Sequence, residues 1–341
     1  MSAPVTDARR YRHYGLTVES NVPLPGLPAT EAGPTDVKVE FVLAHERPKV
    51  DSTWTTVGQL GSAWQAWRAP GAAGSRLRLQ VVGPSGSWGE FRIEDGGEIV
   101  RVTLDEWAVL DDACEALITS IFSCVLAQRG LTCLHASVVA VEDRVIALVG
   151  ASGDGKSTLA LALVQRGGRL LADDVAAISL RAGDCWVAAG RPALRIPPDS
   201  AASLGATFTE LRSVWTIASP DGGKRYYEVD ANRRVPDPSW LPLAGVFLLG
   251  PRCRGGPARA RPVVPADLLP ALLANRHMAQ VLDQAGHRRD FACLAALVRR
   301  VPARELIRPD DLATVSAVAD AVAVDVGGLT NPAWRSCSDI V

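Results

Sequence analysis

LVGASGDGKSTLALALVQRGGRLLADD, residues 148–174, decides the fold. Within it, Gly150-Ala151-Ser152-Gly153-Asp154-Gly155-Lys156-Ser157, continued by Thr158, fits the pattern G-x-x-x-x-G-K-[ST]. The apolar run before it, VIALVG, reads as a strand buried on both faces. The apolar run after it, 157–166, reads as a helix stopped by Gly167-Gly168. A Gly-rich loop between a strand and a helix is the setting in which this pattern signifies a phosphate-binding (Walker A) loop. Its glycines let backbone N–H groups turn inward around phosphate oxygens. The helix N-terminus adds partial positive charge. Lys156 then reaches the β- and γ-phosphates, and the Ser157 hydroxyl ligates Mg²⁺. The expected cofactors are ATP and Mg²⁺, held by residues Gly150 to Thr158.

Asp173-Asp174 closes the strand RLLADD, one short helix after the loop. Adjacent side chains on a strand point to opposite faces, so two neighbouring acids are poorly suited to one identical job. One could hold Mg²⁺, directly or through water. The other could orient an acceptor hydroxyl and take its proton, because phosphoryl transfer rewards positioning over basicity. His135, in LHAS on the preceding strand, is a third candidate. A lone histidine on an apolar strand is also commonly a hydrogen-bonded core residue. The loop GASGDGKSTL is similar to those of transport ATPases, but no LSGGQ sequence occurs and the acid pair comes too soon.

Outward from this stretch, residues 1–104 read as β-rich. YGLTVES, VKVEFVLA, SRLRLQVVG and EFRIEDGGEIVRVTL show short apolar runs or alternation between Gly and Pro clusters. Trp54, Trp64 and Trp67 read as core or sheet-surface residues. DEWAVLDDACEALITSIFSCVLAQ, 105–128, has helical spacing and acids in its first turns. CLHASVVAVEDRVIALVG, 133–150, predicts two strands turning at Glu142-Asp143. VAAISL, CWVAAG and LPLAGVFLLG are further strands, and 265–325 reads as mostly helical. The expected division is a β-rich unit over 1–128 ending in a helix, a catalytic unit over 129–325 and a loose tail over 326–341.

The chain has 341 residues, 48% of them hydrophobic and 21% charged, with a formal net charge of −1. Such a balance gives no global field for nucleic acid or an acidic membrane. The basic run PRCRGGPARARP, 251–262, is rich in Gly and Pro and reads as a solvated loop. Seven cysteines form no CxxC and sit mostly among apolar neighbours, which argues against a disulfide framework or a zinc site. The N-terminal residues lack the apolar core of a secretory signal, and no apolar run has membrane-spanning length. A cytoplasmic protein is expected.

HAS, then GxSGxGKST, then RGxxLLADD resembles the catalytic core of HPr kinase/phosphorylases and their relatives, closely over 131–180 and loosely beyond. The resemblance implies an α/β P-loop kinase fold of the HPr kinase/phosphoenolpyruvate-carboxykinase-like type, followed by C-terminal helices. It implies transfer of a phosphoryl group to a serine hydroxyl. By position, His135 is then an active-site residue, Lys156 holds phosphate, Ser157 binds the metal, Asp174 is the proton acceptor and Asp173 supports it. Homo-oligomers are implied only by analogy. Where the bifunctional enzymes carry a GLGI-type signature, this chain reads GRPALRIPPDS, 190–200, which weighs against a carrier-protein acceptor and against a reverse phosphorylase. YGLTVESNVPLPGLP, near the start, is similar to the stand-alone kinases of lasso-peptide biosynthesis, which implies a precursor peptide carrying a serine hydroxyl as partner. Arg191, Arg195, Asp199, Lys224 and Arg225 are secondary candidates, the arginines as clamps for phosphate or carboxylate. HRRD, 287–290, has the look of a protein-kinase catalytic loop without the rest of that signature.

Overall fold

The alternating segments of the first hundred residues pair into one eight-stranded sheet: β1 (Arg9–His13), β2 (Leu16–Ser20), β3 (Val37–Val42), β4 (Thr55–Leu60), β5 (Trp64–Gly71), β6 (Gly74–Gly83), β7 (Gly86–Glu94) and β8 (Ile99–Leu104). The computed structural model describes residues 8–329 apart from 48, 61–62, 84–85, 106–107, 206, 217–222 and 236–239. The sheet order is β1-β2-β3-β8-β7-β6-β5-β4. One face is apolar. Trp67 lies on the other, under the Arg78 guanidinium at 4.2 Å from its ring centre, and Arg76 stands 5.2 Å from Trp54; Trp64 instead packs against the apolar cluster beside Phe91.

The predicted helix begins at Leu110 and runs as α1 (Leu110–Ala116), a π-helical turn (Leu117–Ile121) and α2 (Phe122–Gln128). Its buried side packs the first sheet onto the second half. Tyr11, Val39, Phe91, Ile121, Val125, Leu134 and Val246 belong to one continuous apolar cluster. Burial of each such large side chain contributes about 1.5–3 kcal/mol.

The second sheet is built from β9 (Thr132–Leu134), β10 (Ala136–Val141), β11 (Arg144–Val149), β12 (Arg169–Ala172), β13 (Ala176–Arg181) and β14 (Asp184–Ala188). β10 and β11 form the predicted hairpin, with Glu142 and Asp143 both at positive φ in its turn. A small sheet follows, made of β15 (Ala193–Ile196), β16 (Arg212–Ser213) and β17 (Arg225–Glu228). β18 (Trp240–Cys253) then returns parallel to β11 in the centre of the second sheet. β19 (Arg259–Pro262) and β20 (Ala303–Pro309) extend it, β20 parallel to β18.

α3 (Lys156–Gln165) and α7 (Val315–Gly327) cover one face of this sheet; α4 (Pro198–Ser203) packs nearby. α5 (Pro265–Ala274) and α6 (Gln284–Arg300) pack on the other face. One expectation needs correction. The basic run 251–262 is not a free loop: it completes β18, turns, and forms β19. The segment 265–325 is mostly helical, as expected, with the strand β20 between its helices. Of the stretch read as a loose tail, Val326 and Leu329 are buried and Arg144 donates to the carbonyls of Val326, Gly327 and Leu329; residues 330–341 lie outside the described residues.

Among the described residues no helix is long and apolar enough to cross a membrane. The described cysteines are free, and all but Cys253 are buried. Cys337 lies outside the described residues.

Candidate active site

β11 ends at Val149 and α3 begins at Lys156, so the Gly-rich loop leaves the sheet at a strand's C-terminal end and enters a helix N-terminus. Gly155 caps α3 at φ 89°, a left-handed conformation that a side chain rarely adopts. Gly150 is required for another reason: a Cβ there would lie 2.8 Å from the Asp154 carboxylate. That carboxylate is not free for a ligand, because Oδ2 accepts from the Ala151 N–H at 2.6 Å and closes the loop on itself. Lys156 is buried, and its Nζ donates to the carbonyls of Gly150 and Ala151, each at 2.8 Å. Burial lowers its pKa, and Asp173 and Asp174 act in the opposite direction.

The acid pair follows β12. Asp174 has φ 71°, so the chain turns out of the strand conformation at that residue. Strict alternation is lost, and both carboxylates lie near the loop while doing different things. Asp173 is buried: Oδ1 accepts from Ser137 and from Ser157 Oγ at 3.0 Å, and Oδ2 accepts from the Arg195 backbone N–H at 2.9 Å. Asp174 faces the cleft. Its Oδ1 is 3.4 Å from His135 Nε2, and its Oδ2 accepts from Arg195 Nη1 at 2.7 Å. Burial raises the pKa of Asp174, but Arg195 and His135 outweigh it and hold the carboxyl well below the usual carboxylate range.

His135 is only partly buried, with 24% of its side chain exposed, so it is not a core histidine. Its backbone N–H donates to the Asn275 carbonyl, and His277 returns a bond to the Cys133 carbonyl. This bridge sets the two rings 6.1 Å apart, edge to face. His277 Nδ1 is paired with Ser123 Oγ at 2.9 Å, and burial lowers its pKa to about 4.

His135, Lys156, Ser157, Asp174 and Arg195 line a cleft of about 250 Å³, whereas Asp173 and His277 do not. Ser152 to Thr158 form its floor, and His135, Asp174, Arg195, Asp199 and Lys224 its walls. Gly150 and Ala151 lie behind the floor. The Thr158 hydroxyl is shared with Ser200 Oγ at 2.7 Å. Arg191 and Arg225 are not at the cleft. Arg191 is buried against Glu115 at 2.9 Å, and Arg225 donates to the Leu211 carbonyl. The HRRD segment is structural: Asp290, on α6, accepts from Thr132 at 2.9 Å.

Two cleft residues escaped the sequence reading. Arg308, on β20, donates to the Gly250 carbonyl at 2.8 Å and to the Asp154 carbonyl. Arg252, on β18, donates to the Gly153 carbonyl at 2.9 Å. Both brace the loop from its carbonyl side. Ser137 was quoted within HAS, but its bond to Asp173 follows only from the pairing of β10 with β12, where Val138 lies opposite Ala172.

Among the described residues no group of three or more His, Cys, Asp or Glu side chains is gathered for a metal. The oxygen pair of Ser157 and Asp173 is the donor type that Mg²⁺ takes, since that ion uses one or two protein oxygens and completes its shell with phosphate and water.

Residues 126–195 match the family HPr Serine kinase C-terminal domain. No curated protein matches the chain. Among solved structures, the Hpr(Ser) kinase/phosphatase from Coxiella burnetii is similar at 13% identity, over 57% of this chain and 95% of that one, with a TM-score of 0.29.

Proposed function

We propose that the protein is an ATP-dependent kinase that transfers a γ-phosphoryl group to a serine hydroxyl. The observation that carries this reading is the position of the Asp174 carboxylate in the same cleft as the Gly-rich loop, with Lys156 and Ser157 between them. The match of 126–195 to an HPr serine kinase domain covers this same stretch.

In this reading the loop N–H groups and Lys156 hold the triphosphate. Ser157 and Asp173 hold Mg²⁺, which when bound neutralises charge on the β- and γ-phosphates. Asp174 orients the acceptor hydroxyl. The acceptor oxygen–phosphorus bond forms as the bond from phosphorus to the β–γ bridging oxygen breaks. ADP leaves with that electron pair, and the hydroxyl proton passes to Asp174. A carboxylate held at low pKa is a weak base, but a loose transition state needs the proton only late. His135 keeps the carboxylate turned toward the cleft.

The acceptor we propose is a ribosomally made precursor peptide of the lasso type, on the resemblance of the N-terminal segment and the absence of a GLGI signature from 190–200. An HPr-type carrier protein is the second reading, favoured by the family match. Incubation with ATP, Mg²⁺ and either a serine-bearing precursor peptide or HPr, followed by mass spectrometry, separates them. We expect a mass gain of one phosphate on the peptide. ATP turnover with no phosphorylated acceptor in either arm would instead indicate a nucleotide sensor or transport ATPase.

A further inference from the structure

The helix 110–128 and the β1–β2 hairpin come from the N-terminal half, yet both reach the acid pair. The Tyr14 hydroxyl, at the hairpin tip, donates to the Val175 carbonyl at 2.8 Å, one residue beyond Asp174. His13 Nε2, beside it, donates to the Ile118 carbonyl in the π-helical turn at 2.9 Å. Glu115, on the last full turn before that π turn, is 3% exposed. Its Oε2 accepts from Arg191 Nη1 at 2.9 Å, and its Oε1 lies 4.0 Å from Arg195 Nη1. The same Arg195 nitrogen makes the 2.7 Å bond to Asp174. One guanidinium therefore stands between a carboxylate of the N-terminal half and the cleft carboxylate. Arg191 is held in turn by the Tyr226 ring at 3.7 Å, and Gly26 gives it room, since a Cβ there would strike its guanidinium.

We infer that Glu115 is a positioning residue for phosphoryl transfer: it fixes Arg191 and Arg195 so that Arg195 aligns Asp174, which makes the N-terminal half part of the catalytic unit. The role in transfer rests on the kinase reading; the wiring does not. A second buried carboxylate on Arg195 stops that guanidinium from being committed to Asp174 alone. It leaves the Asp174 oxygen on the His135 side available to an acceptor hydroxyl. Glu115 itself does not line the cleft and touches no reacting atom.

Two measurements test this. The first is chemical unfolding of wild type, Glu115→Gln, Asp174→Asn and the double variant, without nucleotide. Each single change leaves Arg195 one of the two carboxylates, and the double change leaves it neither. The double variant is expected to shift the unfolding equilibrium constant roughly tenfold beyond the product of the single effects. Independent effects overturn the wiring, whatever the protein's activity. The second is kinetic. Glu115→Gln is expected to lower kcat by about ten- to a hundredfold, with nucleotide affinity changed less than twofold. In an Arg195→Gln background it should lower kcat no further. A wild-type kcat, or a full additional loss in that background, overturns the positioning role. If Glu115→Gln does not fold, the charge-balanced Glu115→Gln/Arg191→Gln pair is read in the same way. A wild-type protein that phosphorylates no acceptor sinks the kinase reading, and the unfolding arm still decides the wiring.

Discussion

Asp174 holds a left-handed backbone conformation that costs a non-glycine residue energy, at a place where the side chain meets Arg195 and His135. Asp tolerates that conformation better than most residues, which suits a turn that must present a carboxylate. That two adjacent acids would face different surroundings was legible from strand alternation, but the means was not: the strand ends at Ala172 and Asp174 turns out of it. Glu115 and His277 could not be read from sequence, because each reaches the site only through long-range packing. Two histidines, His13 buried and His277 partly buried, carry a consequence for stability. His13 has its pKa lowered to about 3, mainly by burial, and His277 to about 4 for the same cause. Both stay neutral in the fold, whereas the unfolded chain protonates its histidines near the ordinary value of 6.5. Their contribution is complete above pH 6.5, is lost as pH falls, and is exhausted near pH 4 for His277 and pH 3 for His13. Urea unfolding between pH 6.5 and 4.5 should lose about 1.4 kcal/mol per pH unit for each of them. His13→Gln should remove one such increment from the slope; an unchanged slope would contradict the assignment.

At the level of elements, the loop and its flanking strand and helix were the most legible part of the chain. The pattern 150–157 fixes both neighbours, and Gly167-Gly168 ends α3 as expected. β20 was missed for a physical reason. ARELIRP turns Arg308 inward to the carbonyls of Asp154 in the loop and Gly250 on β18, so a charge interrupts the apolar alternation that would mark a strand. β19 was hidden by the Gly and Pro of its turn. The brace made by Arg308 predicts a measurable effect. Arg308→Met removes two charge-assisted bonds to partly buried carbonyls, those of Asp154 in the loop and Gly250 on β18, at about 1–3 kcal/mol. Amide exchange across residues 150–155 should quicken, and ATP should bind about tenfold more weakly. Unchanged exchange in the loop would show that the brace is not what holds it.

Across the whole molecule, the cleft belongs to the second sheet and its surroundings to both halves. The expected boundary at 128/129 lies between the first sheet and the second, and a single apolar cluster runs through it. Composition and periodicity register where elements change type, not which side chains cross between them, so a boundary in sequence carried no information about the Tyr14 and Glu115 contacts. The fold therefore places a Gly-rich loop from one half in a cleft with Asp174, whose partner Arg195 also approaches Glu115 of the other half. The most direct test of that account is phosphoryl transfer by Asp174→Asn, measured alongside nucleotide affinity in the same preparation. Transfer to the serine-bearing acceptor should fall about a thousandfold while ATP binding stays within a few-fold of wild type. Transfer at the wild-type rate would remove Asp174 from the chemistry and contradict the account.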